Sequence, residues 1–476
     1  MTDMITLEDV LSATKGELKI EPLSKSYIGV GTDTRADLTD KIFIPLKGEN
    51  FDAHDFLNKA VVQKTSLLIV QRISEIEIKE FTKLGVGVLF VKDTLKALQD
   101  LGRFRRRQSQ AKVIAITGSN GKTSSKEFAA ALIGASLNVH SNEGSFNNHW
   151  GVPLTLLGIQ SGHQVVISEM GMNHSGELTE LAQIGEPDIV VCTTVGRAHL
   201  EGLGSIDGVA QAKEELYLAA SPKATRIFNL DNEWTAKMFE HSKKLFPESQ
   251  LIIFSEKENC NIIVDVSLRV KRMTLQGLEV EGQIGGVSGQ AQIQVFGKHN
   301  ITNLMVAASC ALALKIPPQT IWQNLKLCKS AWGRNQLVSL KSGAQILFDG
   351  YNANPDSMNA LLENLKLLDM QRFAILGEMK EQGAHAPKLH YELGQLAASV
   401  GFEFVWFLGE HFEDFRKGFN FEKNQQLYTD LDFDIQNPVA MTHYEEFLKK
   451  IGPTDLIAIK GSRGMKLERI LELLQK

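Results

Sequence analysis

A strand, a loop and a helix follow one another at residues 112–135, and this segment constrains the fold more than any other. It opens with KVIAI, which is typical of a buried strand, and continues with TGSNGKT; a helix is predicted from Ser124 onward. The backbone amides of such a loop and the N-terminus of the helix form an anion site. Lys122 is expected to reach the β- and γ-phosphates of a nucleotide, and Thr123 a Mg²⁺ ion.

The loop departs from the general phosphate-loop pattern, which has a glycine where this chain has Ile116. The alternative interpretation is a GKT string that occurs by chance in an unrelated loop. The strand before the string and the helix after it favour the phosphate loop, because both flanks are what that motif requires.

Further strand and helix patterns predict an α/β protein of three domains. A chain of 476 residues has room for roughly three domains of ~150 residues each. We predict a small α/β domain over residues 1–93, a central domain with a P-loop-type parallel sheet over 94–330, and a Rossmann-like α/β domain over 331–476. Within the central domain, residues 262–296 alternate like antiparallel strands, and a helix is expected over 300–314.

Charge and hydrophobicity exclude several classes of protein. Lys and Arg number 51 against 56 Asp and Glu, which gives a formal net charge of −5, so no basic field is expected to hold nucleic acid. No apolar run approaches the ~18 residues of a membrane helix, and the N-terminus lacks the pattern of a signal peptide. The basic cluster at residues 103–107 is interpreted as a solvated helix end. Four separated cysteines without a CxxC pair fit a reducing cytoplasm.

Polar residues follow two other predicted strands. Glu169 ends the run VVISE, and His199 lies in GRAHLEGLG after the run DIVVCT. The carboxyl ends of parallel strands meet at one edge of a sheet, so both residues are expected near the phosphate loop. Carboxylate, hydroxyl and imidazole suit Mg²⁺ or Mn²⁺. Taken alone, each residue could equally be a surface carboxylate or a hydrogen-bonded core histidine.

Several longer motifs accompany the phosphate loop in a fixed order: FNNHWGVPLTLL, EMGMNHSGEL, AHLEGLGS, KHNITN, DGYNANPDSM, ILGEMKEQG and KGSRGMKLE, after GTDTR and FDAHDF near the N-terminus. In these motifs the whole chain resembles the Mur ligases, the ATP-dependent amide-bond-forming enzymes of peptidoglycan synthesis. The form TGSNGKTS is that family's own, which accounts for Ile116.

The resemblance implies roles for residues at the nucleotide. The ATP-binding set would be Gly118, Ser119, Asn120, Gly121, Lys122, Thr123 and Ser124 with Asn300, Arg334, Asp349 and Tyr351. Two Mg²⁺ ions would be held by Thr123, Glu169, His199 and Lys213, and the residues counted as catalytic would be Lys122, His199 and Lys213.

Lys213 has two interpretations. It lies in AQAKEELYLAA, which has a helical pattern, and a lysine beside two glutamates usually forms a surface ion pair. The resemblance implies instead that Lys213 is carbamylated, which would turn a cation into an anionic oxygen ligand.

The resemblance also implies which residues contact the other substrates. Thr32, Asp33 and Arg35 would bind the uridine nucleotide, and Asn147, Asn148, Asn173 and His174 would line the cleft for the muramoyl peptide. Asn352, Asn354, Lys460, Ser462 and Arg463 would border the incoming dipeptide and the phosphates.

Within the family, the motifs are most similar to those of the ligase that joins D-alanyl-D-alanine to UDP-N-acetylmuramoyl-tripeptide through an acyl phosphate. The alternative is the ligase that adds the third amino acid, although its Asp-Asn-Pro-Arg motif is absent here. Folylpolyglutamate synthase is a weaker relative, since it lacks the uridine-type N-terminal domain. From another class, a nucleotide-binding regulatory or scaffold protein stays open. A cytoplasmic monomer is expected.

Overall fold

The structure is a computed structural model that describes residues 3–48, 51–257, 262–420, 427–434 and 437–475. Cys260 lies outside these ranges, so only the other three cysteines can be compared with the expectation that the cysteines form no disulfides. Cys192, Cys310 and Cys328 are free and buried. None of the helices in the described ranges combines the length and hydrophobicity of a membrane span.

The N-terminal part of the chain forms a small α/β domain. Its elements are β1 Ile5–Thr6, α1 Leu7–Thr14, β2 Glu17–Ile20, β3 Ser26–Tyr27, β4 Val30–Gly31, β5 Ile42–Phe43, a 3-10 turn at Ala53–Phe56, α2 Leu57–Val62, β6 Leu67–Val70, α3 Glu75–Leu84 and β7 Gly87–Phe90. The main sheet has the order β2-β7-β6-β5-β4 and is parallel except for β2. β1 pairs with β3 separately.

The central part alternates strands and helices. Its elements are α4 Thr94–Gln108, β8 Lys112–Thr117, α5 Lys122–Gly134, β9 Val139–Ser141, α6 Gly151–Leu157, β10 Val165–Glu169, α7 Glu177–Gly185, β11 Ile189–Cys192, α8 Leu200–Leu203, α9 Ile206–Ala219, β12 Thr225–Asn229, α10 Glu233–Leu245, β13 Leu251–Phe254, β14 Val266–Thr274, β15 Gly277–Ile284, β16 Val287–Ile293, α11 Asn300–Ala313 and α12 Pro318–Asn324. A 3-10 turn at Leu325–Leu327 follows.

One sheet runs through this central domain in the order β16-β15-β14-β13-β12-β11-β8-β10-β9. The strands from β9 to β13 pair in parallel, and β14, β15 and β16 form the antiparallel part that the sequence predicts. That part is not a separate appendage, because β14 continues the parallel sheet beside β13.

The core of the central domain lies on both faces of this sheet. Along β8, Ile114 and Ile116 pack with α5 and α11 on one face, whereas Val113 and Ala115 pack with α6, α7 and α9 on the other. Successive side chains of a strand point to opposite faces, so an unbroken apolar run is what a strand covered on both sides requires. The strand must then end where polar residues begin, which places the TGSNGKT loop at the edge of the sheet.

The C-terminal part is a second α/β domain. Its elements are β17 Gln336–Ser339, β18 Gln345–Asp349, α13 Pro355–Lys366, β19 Arg372–Gly377, α14 Ala386–Val400, β20 Phe404–Leu408, α15 Phe412–Phe419, β21 Leu427–Asp430, α16 Pro438–Lys449, β22 Leu456–Lys460 and α17 Glu468–Leu474, with 3-10 turns at Gly383–His385 and Arg463–Met465. The sheet order is β17-β18-β22-β19-β20-β21, parallel except for β17. The predicted α/β class and three-domain architecture are confirmed.

The basic cluster at residues 103–107 corrects one expectation. Arg105 is only 4% exposed and donates to the carbonyl oxygen of Ile159 at 2.6 and 3.0 Å. Arg106 binds Asp188 at 2.7 Å, and Arg103 and Arg107 bind the carboxylate of Glu186. The interpretation as a solvated helix end is therefore wrong for Arg105 and Arg106, which attach α4 to the rest of the central domain, whereas the side chains of Arg103 and Arg107 stay 41% and 57% exposed.

Candidate active site

The phosphate loop is shaped by two glycines. Gly118 has φ = +147°, and a Cβ there would lie 1.9 Å from Thr193 Oγ1; Gly121 has φ = +78°, and a Cβ there would lie 2.1 Å from Asn303 Oδ1. Residues that carry a side chain rarely adopt these backbone conformations, and neither position has room for a Cβ atom. Ser119 N donates to Thr194 O at 2.8 Å, so the loop also lies against the end of β11.

Lys122 begins α5, two residues earlier than the sequence predicts, and lies over the loop. Its Nζ donates to the carbonyl oxygen of Gly118 at 2.8 Å. Burial lowers the pKa of Lys122, whereas the nearby Glu169 carboxylate acts in the opposite direction. The ammonium is thus held at the mouth of the anion site formed by the loop and the helix N-terminus.

Thr123 and Glu169 are in direct contact. Thr123 Oγ1 donates to Glu169 Oε2 at 2.9 Å, and Asn147 Nδ2 donates to Glu169 Oε1 at 2.7 Å. Glu169 is 1% exposed. A hydroxyl and a carboxylate fit Mg²⁺, which takes one or two carboxylates and keeps several waters. In the described residues no group of three or more His, Cys, Asp or Glu side chains could hold a metal.

His199 and Lys213, the other two predicted metal ligands, have different surroundings. His199 Nδ1 lies 3.2 Å from Glu381 Oε2 of the C-terminal domain. Lys213 is 1% exposed, and in the described residues it has neither a hydrogen bond nor an ion pair. Burial, with Lys122 nearby, lowers the pKa of Lys213 to about 7. The surface ion pair that the sequence left open for Lys213 is therefore wrong.

A cavity of about 320 Å³ adjoins the phosphate loop and lies between the central and C-terminal domains. Predicted residues in its wall are Asn120, Gly121, Ser124, Arg334, Asp349 and Lys460. Lys460 Nζ donates to Asp349 Oδ2 at 2.6 Å, and both residues are buried. The resemblance places Lys460 at the incoming dipeptide and the phosphates, and its contact here is with Asp349 of the predicted ATP-binding set.

Arg334 joins the C-terminal domain to the phosphate loop. Its Nη2 lies 3.3 Å from Thr123 Oγ1, and its guanidinium carbon lies 4.2 Å from the centroid of the Tyr351 ring. The Tyr351 hydroxyl contacts the Ser145 hydroxyl of the central domain. Arg334 thus meets the start of α5 from the opposite domain, and Tyr351 contacts both Arg334 and the segment between β9 and α6.

Asn300 plays a supporting part. Its Nδ2 donates to Phe296 O at 2.8 Å, and its Oδ1 accepts from Asn303 Nδ2 at 2.9 Å. Asn303, not Asn300, lines the cavity, together with His299 and Asn335. Burial lowers the pKa of His299 to about 4, so this imidazole is neutral and can accept a hydrogen bond from Asn335 Nδ2 at 3.1 Å.

A second cavity, of about 540 Å³, lies between the N-terminal and central domains. Thr32, Asp33 and Arg35, the residues predicted to bind the uridine nucleotide, line it, and Arg35 and Asp33 form an ion pair at 2.6 Å. Phe51, Phe56, Phe146 and Trp150 supply most of its apolar wall. Faces of this kind stack against a planar base.

The remaining predicted substrate residues are divided between the cleft and the protein scaffold. Asn173 and His174 follow β10; the backbone amide of Asn173 donates a hydrogen bond to Glu177, and His174 Nδ1 forms another with the same carboxylate. Asn148 Oδ1 accepts from Gly151 N at the start of α6, and Ser462 Oγ accepts from Lys380 N. Asn354 Nδ2 donates to Asn120 Oδ1 at 2.8 Å. The backbone carbonyl oxygen of Asn352 accepts a hydrogen bond from Lys460, and Arg463 forms an ion pair with Glu468. The side chains of Asn148 and Ser462 therefore bind backbone amides of the protein.

Several residues at the site were missed by the sequence interpretation: His299, Asn303, Asn335, Glu381 and the aromatic wall of the second cavity. His299 and Asn303 lie in KHNITN and Glu381 in ILGEMKEQG, so the motifs mark their neighbourhoods. Which residue of a motif faces a cavity depends on the direction of each side chain, and that follows from tertiary packing.

A glycine-shaped loop at the edge of a parallel sheet, a lysine over it, and a Thr–Glu pair beside it define a P-loop nucleotide-binding protein. Two family models identify the class further: the Mur ligase middle domain matches residues 116–311, and the Mur ligase, glutamate ligase domain matches residues 333–463. The chain belongs to the Mur ligase family.

Individual relatives extend the similarity to the full length. The chain is 30% identical to the UDP-N-acetylmuramoyl-tripeptide–D-alanyl-D-alanine ligase of Bacillus subtilis, over 98% of this chain and 97% of the relative. A crystal structure of MurF from Acinetobacter baumannii superposes with a TM-score of 0.88 at 28% identity, covering 99% of both chains. MurF from Thermotoga maritima, solved with ADP, shares the fold with a TM-score of 0.79 at 21% identity, over 94% of this chain and 97% of the other.

Proposed function

We propose that this protein is an ATP-dependent ligase that joins D-alanyl-D-alanine to UDP-N-acetylmuramoyl-tripeptide, producing ADP and phosphate. The observation that supports the proposal is the presence of two cavities, one at the phosphate loop and one with an aromatic wall between the N-terminal and central domains, in a chain similar to such a ligase over its full length. One cavity suits a nucleotide, and the other has the aromatic wall that a uracil ring requires.

The chemistry requires activation of a carboxylate, because its oxygen is a poor leaving group. The tripeptide carboxylate attacks the γ-phosphorus of ATP, the bond to the bridging oxygen breaks, and ADP leaves. The neutral amine of the dipeptide then attacks the acyl carbon and loses a proton, and phosphate leaves. Lys122 offsets the charge on the phosphoryl oxygens, and Arg334 supplies a second cation from the C-terminal domain.

Thr123 and Glu169 would hold a Mg²⁺ ion, and His199 and a carbamylated Lys213 would hold a second one. Mg²⁺ bound there would neutralise phosphate charge. The role of the protein is to keep the Thr123 hydroxyl and the Glu169 carboxylate together, which the buried hydrogen bonds to Glu169 achieve.

The environment of Lys213 supports the proposed carbamate. A buried ammonium without an ion-pair partner is unfavourable, and Lys122 nearby increases the cost. The neutral amine can add carbon dioxide and lose a proton, which gives an anion suited to the same place. We expect Lys213→Ala to abolish ligation and added acetate or formate to restore part of it; full activity of the variant without additives would contradict the carbamate.

The function can be tested with a panel of substrates scored by mass spectrometry. Two tripeptide nucleotides, ending in lysine or diaminopimelate, are combined with several D-amino dipeptides and ATP. Phosphate release that requires both a tripeptide and D-alanyl-D-alanine supports the proposal. Addition of a single amino acid to the dipeptide nucleotide would instead identify the ligase of the preceding step, and ATP binding without coupled turnover would identify a binding module.

The cytoplasmic location and monomeric state expected from the sequence belong to the same proposal. Cell fractionation and light scattering of the purified protein would test them.

A further inference from the structure

Lys126 is a buried lysine that neither the phosphate-loop motif nor the proposed reaction uses. It lies on α5, four residues beyond Lys122, and is 0% exposed. Its ammonium contacts three acceptors: the carbonyl oxygen of Asn142 at 2.7 Å, that of Gly144 at 2.9 Å, and Glu127 Oε1 at 2.9 Å. A lysine ammonium has three N–H donors; two of them donate to these carbonyl oxygens, and the ion pair with Glu127 is the third contact of the group.

Two of these acceptors belong to one loop. We define the cleft loop as residues 142–150, between β9 and α6. Lys126 is separated from Asn142 by 16 residues of the chain, so its contacts attach the cleft loop to the helix that carries the phosphate loop. Asn142 Nδ2 also donates to Gly144 O at 3.2 Å, which closes this end of the loop on itself.

The cleft loop in turn holds Glu169 from two sides. Asn142 Oδ1 accepts from Glu169 N at 2.9 Å, and Asn147 Nδ2 donates to Glu169 Oε1 at 2.7 Å. Gly171 N donates to Asn147 O at 2.8 Å, just after β10. A displacement of the loop would therefore change the orientation of the carboxylate that faces Thr123.

The same loop reaches both neighbouring domains. Phe146 and Trp150 line the cavity that also contains Thr32, and Ser145 contacts the hydroxyl of Tyr351. The cleft loop thus adjoins the proposed uridine site, the Glu169 carboxylate and the C-terminal domain, and Lys126 is its attachment to α5.

We propose that Lys126 is a positioning residue for the ligase reaction: its ammonium holds the cleft loop so that Asn147 orients Glu169 and so that Phe146 and Trp150 face the UDP-linked substrate. The identity of that substrate rests on the proposed function, whereas the attachment of the loop does not. A lysine with a purely structural role would stabilise α5 without a selective effect on one substrate.

Hydrogen exchange of the full-length protein tests the attachment directly. Lys126→Met keeps the length of the side chain and removes all three donors, so we expect exchange of the amides in the cleft loop to rise at least about tenfold. Amides in α11 should keep their protection. Lys237→Met is the matched control, because Lys237 is an exposed lysine on α10 that is paired with Glu233. Unchanged exchange in the cleft loop of Lys126→Met would overturn the proposal.

Kinetics test the consequence for the reaction. A misplaced cleft loop should lower kcat/KM for the UDP-linked tripeptide roughly 10- to 100-fold. The affinity for a fluorescent ATP analogue, measured without Mg²⁺ so that Glu169 does not contribute, should stay within about twofold, because the contacts of the phosphate loop are unchanged. An equal loss for every substrate, with lower thermal stability, would indicate a structural role only and would overturn the proposal.

If Lys126→Met does not fold, Lys126→Arg takes its place. A guanidinium is longer and planar and cannot present three donors to the same acceptors, so a smaller rise in loop exchange is expected, and none would overturn the proposal. If the unmodified protein ligates neither tripeptide, the proposed function fails, while the exchange measurement still decides whether Lys126 holds the loop.

Discussion

At the scale of single residues, the site depends on charges placed where water is excluded. Lys122, Lys213 and Glu169 lie close enough for their charges to interact, and each is held by a different element: α5, α9 and β10. Electrostatic interactions are stronger in such surroundings than in water, so single substitutions here should have large effects on the chemistry.

Lys122→Ala should lower kcat by about 10²- to 10³-fold, the effect of losing one preorganised electrostatic donor at a developing charge. Circular dichroism and the melting temperature should stay close to those of the unmodified protein. The matched control is Lys112→Ala, a surface lysine at the start of β8 paired with Asp188. A Lys122→Ala enzyme with near-normal turnover would contradict the assignment of the phosphate loop.

Lys213 predicts a pH dependence of stability. Its pKa is about 7 in the folded state and near 10.5 when unfolded, so between these values the unfolded state binds more protons and the folded state gains stability as pH rises. Lys213→Met removes this dependence. In buffer free of carbon dioxide, its melting temperature should exceed that of the unmodified protein by roughly 5 °C at pH 6. The difference should shrink toward pH 10; a difference independent of pH would contradict the burial of a titrating amine.

At the scale of elements, the ends of helices do much of the work at the site. α5 begins in the phosphate loop and presents its N-terminus to the anion. α13 is capped at its N-terminus by Asn354, whose side chain accepts a hydrogen bond from Ser357 N and also donates one to Asn120 of the phosphate loop. A helix cap in one domain is therefore also a contact with the nucleotide site of another.

Asn354→Ala should separate these two roles. Loss of the cap should destabilise α13 by about 1 kcal/mol, and loss of the contact with Asn120 should raise KM for ATP. Ser74→Ala is the control, because Ser74 forms a comparable capping box on α3, far from the phosphate loop along the chain. Denaturant unfolding and steady-state kinetics measure both effects. An Asn354→Ala enzyme that loses stability but keeps its KM for ATP would show that the contact is unimportant.

At the scale of the whole molecule, polar contacts around the cleft join the C-terminal domain to the central domain, beside an apolar contact in which Leu275 and Phe296 pack against the core of the C-terminal domain. Arg197 Nε donates to Asp356 Oδ1 at 3.1 Å and Arg197 N to Asp356 Oδ2 at 2.7 Å, while His199 faces Glu381. Interfaces between domains of one chain commonly combine polar and apolar contacts, and relative motion of the domains is the default expectation for them. Closure of this kind brings catalytic groups together and excludes water from reactive intermediates.

Asp356→Ala should weaken closure. Charge-assisted hydrogen bonds contribute about 1.5–3 kcal/mol, so we expect kcat/KM to fall roughly 10- to 100-fold. Small-angle scattering with a non-hydrolysable ATP analogue should give a larger radius of gyration than for the unmodified protein. Glu363→Ala, on the same helix but paired only with Lys366 in the described residues, should change neither quantity. Equal radii for Asp356→Ala and the unmodified protein would exclude this role for the contact.

The sequence by itself determined the elements and the class of the site. Buried parallel strands such as β8 and β10 are largely apolar runs, and the phosphate loop needs glycines at particular positions. Both features can therefore be recognised from a short stretch of sequence. The bounds of β8 and β10 differ from those of the runs KVIAI and VVISE by at most one residue. The motif order was enough to identify the family.

Only the tertiary structure decided which side chain of each motif faces the cleft and what it contacts. Asn303 rather than Asn300 lies at the cavity wall, Lys460 meets Asp349, Arg105 of α4 is buried, and Lys126 contacts the cleft loop. The physical reason is common to all four. A local sequence pattern indicates that a residue is polar and where its helix or strand ends. The hydrogen-bond partners of that residue come from distant parts of the chain, and they meet it only after the sheets are assembled.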